Sequence, residues 1–283
     1  MVQMIGVLVL ATGLPRMFAS IERGHHLDNS YAATVSAAQV GWVVQIVVAF
    51  STLGAFVLGS VLALIELTGP VLAERKDGGT PWHAHHIAER HSLFAIIALG
   101  EGVVGTVAAL SAVVDQHGWT LDAALVGIAG TGLTFGMWWI YFLVPSAQTL
   151  HQHRNRATVW SGVQMLIVTS IVATGAGLHL AAYFIDHQAH ITAVAVVLAV
   201  AIPVLIFLML LYGLCYYLVR RFHAFDARLL ITSCAVAMFS VVAAWLGIGL
   251  GVCLVILMLA PTVTVVGYEL LGYRRQAEAL GDY

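Results

Sequence analysis

Between Trp82 and Gly105 the chain reads WHAHHIAERHSLFAIIALGEGVVG, and its chemistry-bearing side chains cluster there. The first half supplies His83, His85, His86, Glu89, Arg90 and His91, and the second carries a single carboxylate, Glu101, into an apolar run. Two kinds of chemistry use such a set. Clustered histidines ligate metals, and a carboxylate held in apolar surroundings handles protons or cations. The metal reading draws on 13 histidines, of which His151, His153 and His223 fall in connections on the same side as the cluster. Membrane di-iron enzymes gather ligands in that way. The spacing argues against it here: His-Ala-His-His and His-Gln-His are not paired helical ligand spacings, and His85/Glu89 gives only one i, i+4 couple. No H-E-x-x-H, phosphate loop or G-x-S-x-G elbow accompanies them. The histidines read as solvated helix ends. His83, His85, His86 and His91 stay as the chain's metal candidates, but the expectation is no metal and no cofactor.

Glu101 is the sharper signal. On a helix, His86, Arg90, Ile97 and Glu101 share one stripe, because steps of four and eleven residues return to nearly the same azimuth. Arg90 and Glu101 are separated by about 16 Å of helical rise, so they cannot pair. A charge at the bilayer centre costs about 2.5 kcal/mol or more, and such groups face the bundle interior. Glu101 therefore needs another partner, or is neutral. Two readings stand: it lines a polar path, or it is a hydrogen-bonded acid that holds helices together. Glu66, about one turn before Pro70, lies at a depth close to that of Arg90. A structural Glu66–Arg90 ion pair is the assignment for it.

The elements that must position these groups follow from composition. Of 283 residues, 60% are hydrophobic and 9% charged, with a mean hydropathy of +0.93. Soluble domains carry about 25% charged residues, so an ordinary soluble enzyme is excluded. A net charge of -2 leaves no footprint for nucleic acid. Cys215, Cys234 and Cys253 lie inside apolar runs and form no disulfide framework. The start of the chain has no cationic leader or small-residue cleavage site, so no signal peptide is read there.

A ruler of about 20 apolar residues per crossing gives about nine spanning helices. They fall at 1–20, 31–50, 53–68, 87–114, 121–144, 159–184, 191–219, 228–246 and 248–268, with a turn at Ser51–Gly54. The expected fold is all-α, a polytopic transmembrane helical bundle in a single domain over 1–283. Arg75, Lys76 and Arg90, then Arg154 and Arg156, then Arg220, Arg221 and Arg228, and finally Arg274 and Arg275 mark alternate connections. The connections between them carry no Lys or Arg. The positive-inside rule then puts the Arg-bearing side and the carboxyl terminus in the cytoplasm. Trp138-Trp139-Tyr141-Phe142, Tyr216-Tyr217 and Tyr268/Tyr273 fall at that interface. Gly127, Gly130, Gly175, Gly177, Gly247, Gly249 and Gly251 read as packing positions, and Pro203 as a kink.

At these residues the sequence resembles the bacterial low temperature requirement A family, over nearly the whole chain. The resemblance rests on PWHAHHIAERHSLFAIIALGEGVVG (Pro81 to Gly105), on AAQVGWV before it, on the ALIELTGP helix end, and on WWIYF (Trp138 to Phe142). It implies a multi-pass protein of the bacterial plasma membrane, from a family named for a cold-growth phenotype, and implies no molecular activity. The family's opening Glu-Leu-Phe-Phe-Asp-Leu-Val-Phe-like helix is absent from the start of this chain. The resemblance therefore implies a shortened or truncated member that lacks the family's amino-terminal helices.

Three functions are weighed. A transporter- or channel-like protein with a buried carboxylate ranks first, its partners being the lipid bilayer and a small solute or proton. A non-catalytic membrane stress or structural protein ranks second. A His-cluster membrane metalloenzyme ranks last, because no catalytic motif supports an enzyme.

Overall fold

The computed structural model describes residues 29–48, 51–76, 84–144, 150, 156–187, 190–219 and 224–272. Over them the chain forms α1 (Asn29–Val47), α2 (Thr52–Lys76), α3 (Ala84–His117), α4 (Leu121–Leu143), α5 (Ala157–Ile185), α6 (Ala193–Val219), α7 (Ala224–Trp245) and α8 (Leu250–Gly267). A short π-helical turn, Tyr268–Gly272, follows. The all-α polytopic class is as expected. Among the described residues six helices, α3 to α8, are long and apolar enough to span a bilayer, against about nine expected. The first expected crossing, 1–20, lies outside the described residues. The second and third fall on α1 and α2, where the apolar helical stretch Leu53–Ile65 is shorter than a crossing. Beyond it, α2 runs through Pro70 to Lys76, because Leu, Ala, Glu, Arg and Lys there are strong helix formers.

Two compact units divide the chain, Met1–Trp82 and His83–Tyr283. In the first, α1 packs on α2. Ser51 Oγ accepts from the Gly54 amide at 3.2 Å, which places the expected turn at the start of α2. Gln45 Nε2 donates to the Ala55 carbonyl at 3.0 Å.

In the second unit α3 packs on α4 and most extensively on α5; α5 meets α6, α6 meets α7 and α8, and α8 meets α7 and α4. A ring α3–α5–α6–α8–α4 results, with α7 against α6 and α8. The helices are capped as a polar-end, apolar-middle chain requires. Thr120 Oγ1 accepts from the Ala123 amide at 3.3 Å and caps α4. Gly247, at φ +80°, ends α7: its amide bonds to Ala244 O, and the Ile248 amide to Ala243 O. That pairing is the Schellman stop, which favours glycine because the position is left-handed.

Four contacts show which helix ends lie together. The His91 and Trp160 rings, near the starts of α3 and α5, meet at 4.9 Å. Arg156, at the start of α5, donates to the Tyr217 carbonyl at 2.9 Å and to that of Leu218, both at the end of α6. Tyr268 donates to Asp226 at 2.9 Å, and Trp139 Nε1 to Glu269 at 3.1 Å. The starts of α3, α5 and α7 thus share one end of the unit with the ends of α4, α6 and α8. Arg90, Arg156 and Arg228 lie at that end, and α3 and α5 run parallel.

Large apolar side chains point outward. On α3 they include Leu93, Phe94, Ile97, Val103, Val104 and Val107. The interior mixes large side chains such as Trp160, Phe207, Leu133 and Met137 with small and hydroxyl residues. Ser233 Oγ and Thr264 Oγ1 lie 3.0 Å apart, Tyr212 donates to Thr264 at 3.3 Å, and Ser240 donates to the Cys253 carbonyl at 2.7 Å. An apolar exterior over a small, hydroxyl-rich interior is how helices associate in lipid, where apolarity alone brings no driving force.

Candidate functional site

The centre of α3 is held from two sides by reciprocal small-residue contacts. Gly102 and Thr106 on α3 face Gly130 and Thr134 on α4, and the two Gly-x-x-x-Thr pairs interlock. A Cβ on Gly102 would meet Thr134 Oγ1 at 2.6 Å, and one on Gly130 would collide with Thr106. Each hydroxyl is satisfied within its own helix, Thr106 donating to Gly102 O at 2.6 Å and Thr134 to Gly130 O at 3.0 Å. Toward α5, a Cβ on Gly105 would stand 2.5 Å from the Gly175 carbonyl oxygen. A Cβ on Gly175 would stand 2.6 Å from the Glu101 carbonyl carbon and 2.8 Å from its oxygen. The α3 and α5 backbones touch here. The space beside Gly102 and Gly105 is therefore taken by neighbouring helices, while nothing lies within 4 Å of the Cβ position at Gly100.

Glu101 lies at the middle of α3 and finds its partner on α5. His179 Nε2 is 3.3 Å from Glu101 Oε1, and the two side chains keep 29% and 42% of their surface. Within the bundle Glu101 is half-buried. His86, Arg90 and Ile97, its stripe-mates, are all exposed, so the stripe forms the outward flank of α3 and not the bundle interior. Glu101 sits at the edge of the α3–α5 seam, with its carbonyl and its Cγ against Gly175, and its carboxylate runs along that edge to reach His179. A Glu–His couple at 3.3 Å exists either as an ion pair or as a neutral pair with the same net charge, and one added proton makes it cationic. The arrangement can hold and release a proton or a small cation.

The remaining sequence-derived residues spread over the Arg-bearing end. Glu89 is exposed and lies 3.7 Å from His86 Nδ1, both on the surface of α3's first turns. His85 and Arg90 are exposed, and His91 is half-buried. His83 lies outside the described residues. Glu66 belongs to α2, but its side chain lies outside them too, and with it the Glu66–Arg90 pair. Among the described residues no three His, Cys, Asp or Glu side chains converge as a metal would require.

Sequence reasoning missed His179 and Thr134, and it named Gly175 as a packing position without its partner on α3. One signal was available for the first: His179 is a lone ionisable residue within the apolar run GLHLAAYF, and such residues mark partners inside membranes. No sequence signal fixed which neighbours α3 has.

Similarity to known proteins agrees with this architecture. The family model described as bacterial low temperature requirement A protein (LtrA) matches residues 20–261. No curated protein and no solved structure matches the chain. The match takes in α3 to α7, the Glu101–His179 couple and most of α8, and covers far more than half of the chain, so this multi-pass helical membrane protein belongs to the LtrA family.

Proposed function

We propose that the protein is transporter- or channel-like, and that the Glu101–His179 couple is its working site for a proton or small cation. One observation carries the reading. An ionisable pair sits at the middle of the longest apolar helix, where charge is costly and structure alone has no need of it. The open side of Gly100 and the partial exposure of both side chains leave the couple accessible from the flank of α3. Glu89 and Arg90 would form the charged mouth at the Arg-bearing end. That end and the carboxyl terminus face the cytoplasm in this reading, by the positive-inside rule.

The test is flux through proteoliposomes loaded with a pH-sensitive dye, with and without Glu101→Gln. The variant keeps shape and a hydrogen bond to His179, so it folds, and it should lose the proton or cation flux of the parent. Parent-like flux in a folded Glu101→Gln protein would overturn the site.

A second reading has its own support. The backbone contact at Gly175 and the interlocked Thr–Gly pairs make the centre of α3 rigid, as a non-catalytic packing protein would need. In that case the same variant leaves growth complementation and flux unchanged.

Orientation is tested separately. A cysteine at the exposed Trp119, in a chain whose Cys215, Cys234 and Cys253 are replaced by alanine, should react with an impermeant maleimide from outside the cell. Trp119 is used because Gly118 has φ +72°, and a side chain there would strain the turn. Labelling only after the cytoplasmic face is opened would reverse the proposed topology.

A further inference from the structure

Near the Arg-bearing end of the α3–α5 seam lie three buried polar atoms with no partner among the described residues: His91 Nε2, Trp160 Nε1 and Gln164 Oε1. Trp160 and Gln164 keep 0% and 1% of their surface. The His91 ring is fixed on one side, with Nδ1 2.9 Å from the Ile87 carbonyl oxygen. A carbonyl only accepts, so Nδ1 carries the hydrogen, and Nε2 presents a lone pair in the neutral ring. Its edge meets the indole at 4.9 Å between centroids and 70°. Gln164 is one helical turn beyond Trp160. The register that sets His91 beside Trp160 and Gly105 beside Gly175 puts Gln164 opposite Ala95, one turn beyond His91. Ala95 is fully buried and too short to reach the amide. Long helical side chains lean toward their own N-terminus, which turns the Gln164 amide back toward His91 and Trp160. Buried polar atoms are nearly always paired, and leaving three unpaired in one place is costly.

We propose that His91, Trp160 and Gln164 form a binding site for one water molecule, which ties α3 to α5. The donor and acceptor tally selects the ligand. The occupant must donate to His91 Nε2 and to Gln164 Oε1, and accept from Trp160 Nε1–H. Water does all three. A hydroxyl group has one hydrogen too few, and an ammonium ion has no lone pair for the indole. The site also survives protonation of His91: Nε2–H then donates, and the water turns to accept from both rings. Between this site and Glu101, Ala95, Ala98, Ile167 and Ile171 are buried and apolar. The water site is therefore separate from the Glu101–His179 couple and independent of the transport reading.

The experiment uses the full chain in detergent micelles. Gln164→Leu keeps volume and removes the polar atoms, while Trp160→Phe removes the indole N–H together with part of the ring and leaves a small cavity. With a shared water, each should lower the thermal midpoint by about 3 °C, and the double variant should fall by less than the sum, because the second change finds the water already lost. In ¹⁵N-tryptophan-labelled protein, the indole N–H resonance that disappears in Trp160→Phe should show a cross-relaxation peak to water. A raised midpoint for Gln164→Leu would overturn the site, because deleting a truly unpaired buried atom at constant volume stabilises. A Trp160 indole without a water cross-peak would overturn it equally, even where the midpoints fall.

Discussion

Gly175→Ala should destabilise the protein by about 3 kcal/mol, the upper range for overpacking a tight interior. The reason is what the new methyl group meets. Its position is 2.6 Å from the Glu101 carbonyl carbon and 2.8 Å from the oxygen. These are backbone atoms of a neighbouring helix, not the end of a flexible side chain. Relief requires α3 and α5 to separate, and that separation also opens the Gly105 contact with Gly175 O. Gly162→Ala, on the same helix, has nothing within 4 Å of its Cβ and should be neutral or slightly stabilising through helix propensity. Thermal unfolding of both variants in detergent makes the comparison. Equal midpoints for the two would mean that the helices do not approach through Gly175.

His179→Leu should have an effect of similar size, about 3 kcal/mol, because it strands Glu101 in the apolar zone without its partner. Glu101→Gln should cost under about 1 kcal/mol, since an amide bonds to a neutral imidazole nearly as well. The combination tests the contact itself. If the side chains meet, Glu101→Gln in the His179→Leu background restores part of the loss, because a neutral amide is cheaper to leave unpaired than a carboxylate. Additive losses would mean that the 3.3 Å approach carries no energy. This cycle reads stability alone, so it stands whatever the flux experiment gives.

The sequence determined much of this protein. Its hydrophobicity and the spacing of its apolar runs dictated a helical membrane protein, and α3 to α8 begin and end within a few residues of the expected positions. The cause is physical: in lipid every backbone group must be bonded within its own helix, so apolar length alone fixes the elements. The ordered Arg-bearing connections dictated which helix ends lie together for the same reason, since each crossing reverses the side. Residues 82–105 marked α3 as the helix that carries chemistry.

Only the tertiary structure decided where that chemistry points. A helical wheel placed Glu101 with His86, Arg90 and Ile97, but could not tell whether the stripe faced in or out. The α5 backbone at Gly105 and the α4 threonine at Gly102 decided that, leaving Glu101 at the half-exposed edge of the α3–α5 seam and His86, Arg90 and Ile97 outward. The partner of Glu101 was likewise beyond sequence reach. His179 is 78 positions away, and nothing local specifies that α3 lies beside α5 as well as beside its chain neighbour α4. Spanning helices are fixed one at a time by the bilayer, while their mutual contacts are fixed by small residues whose partners lie on other helices.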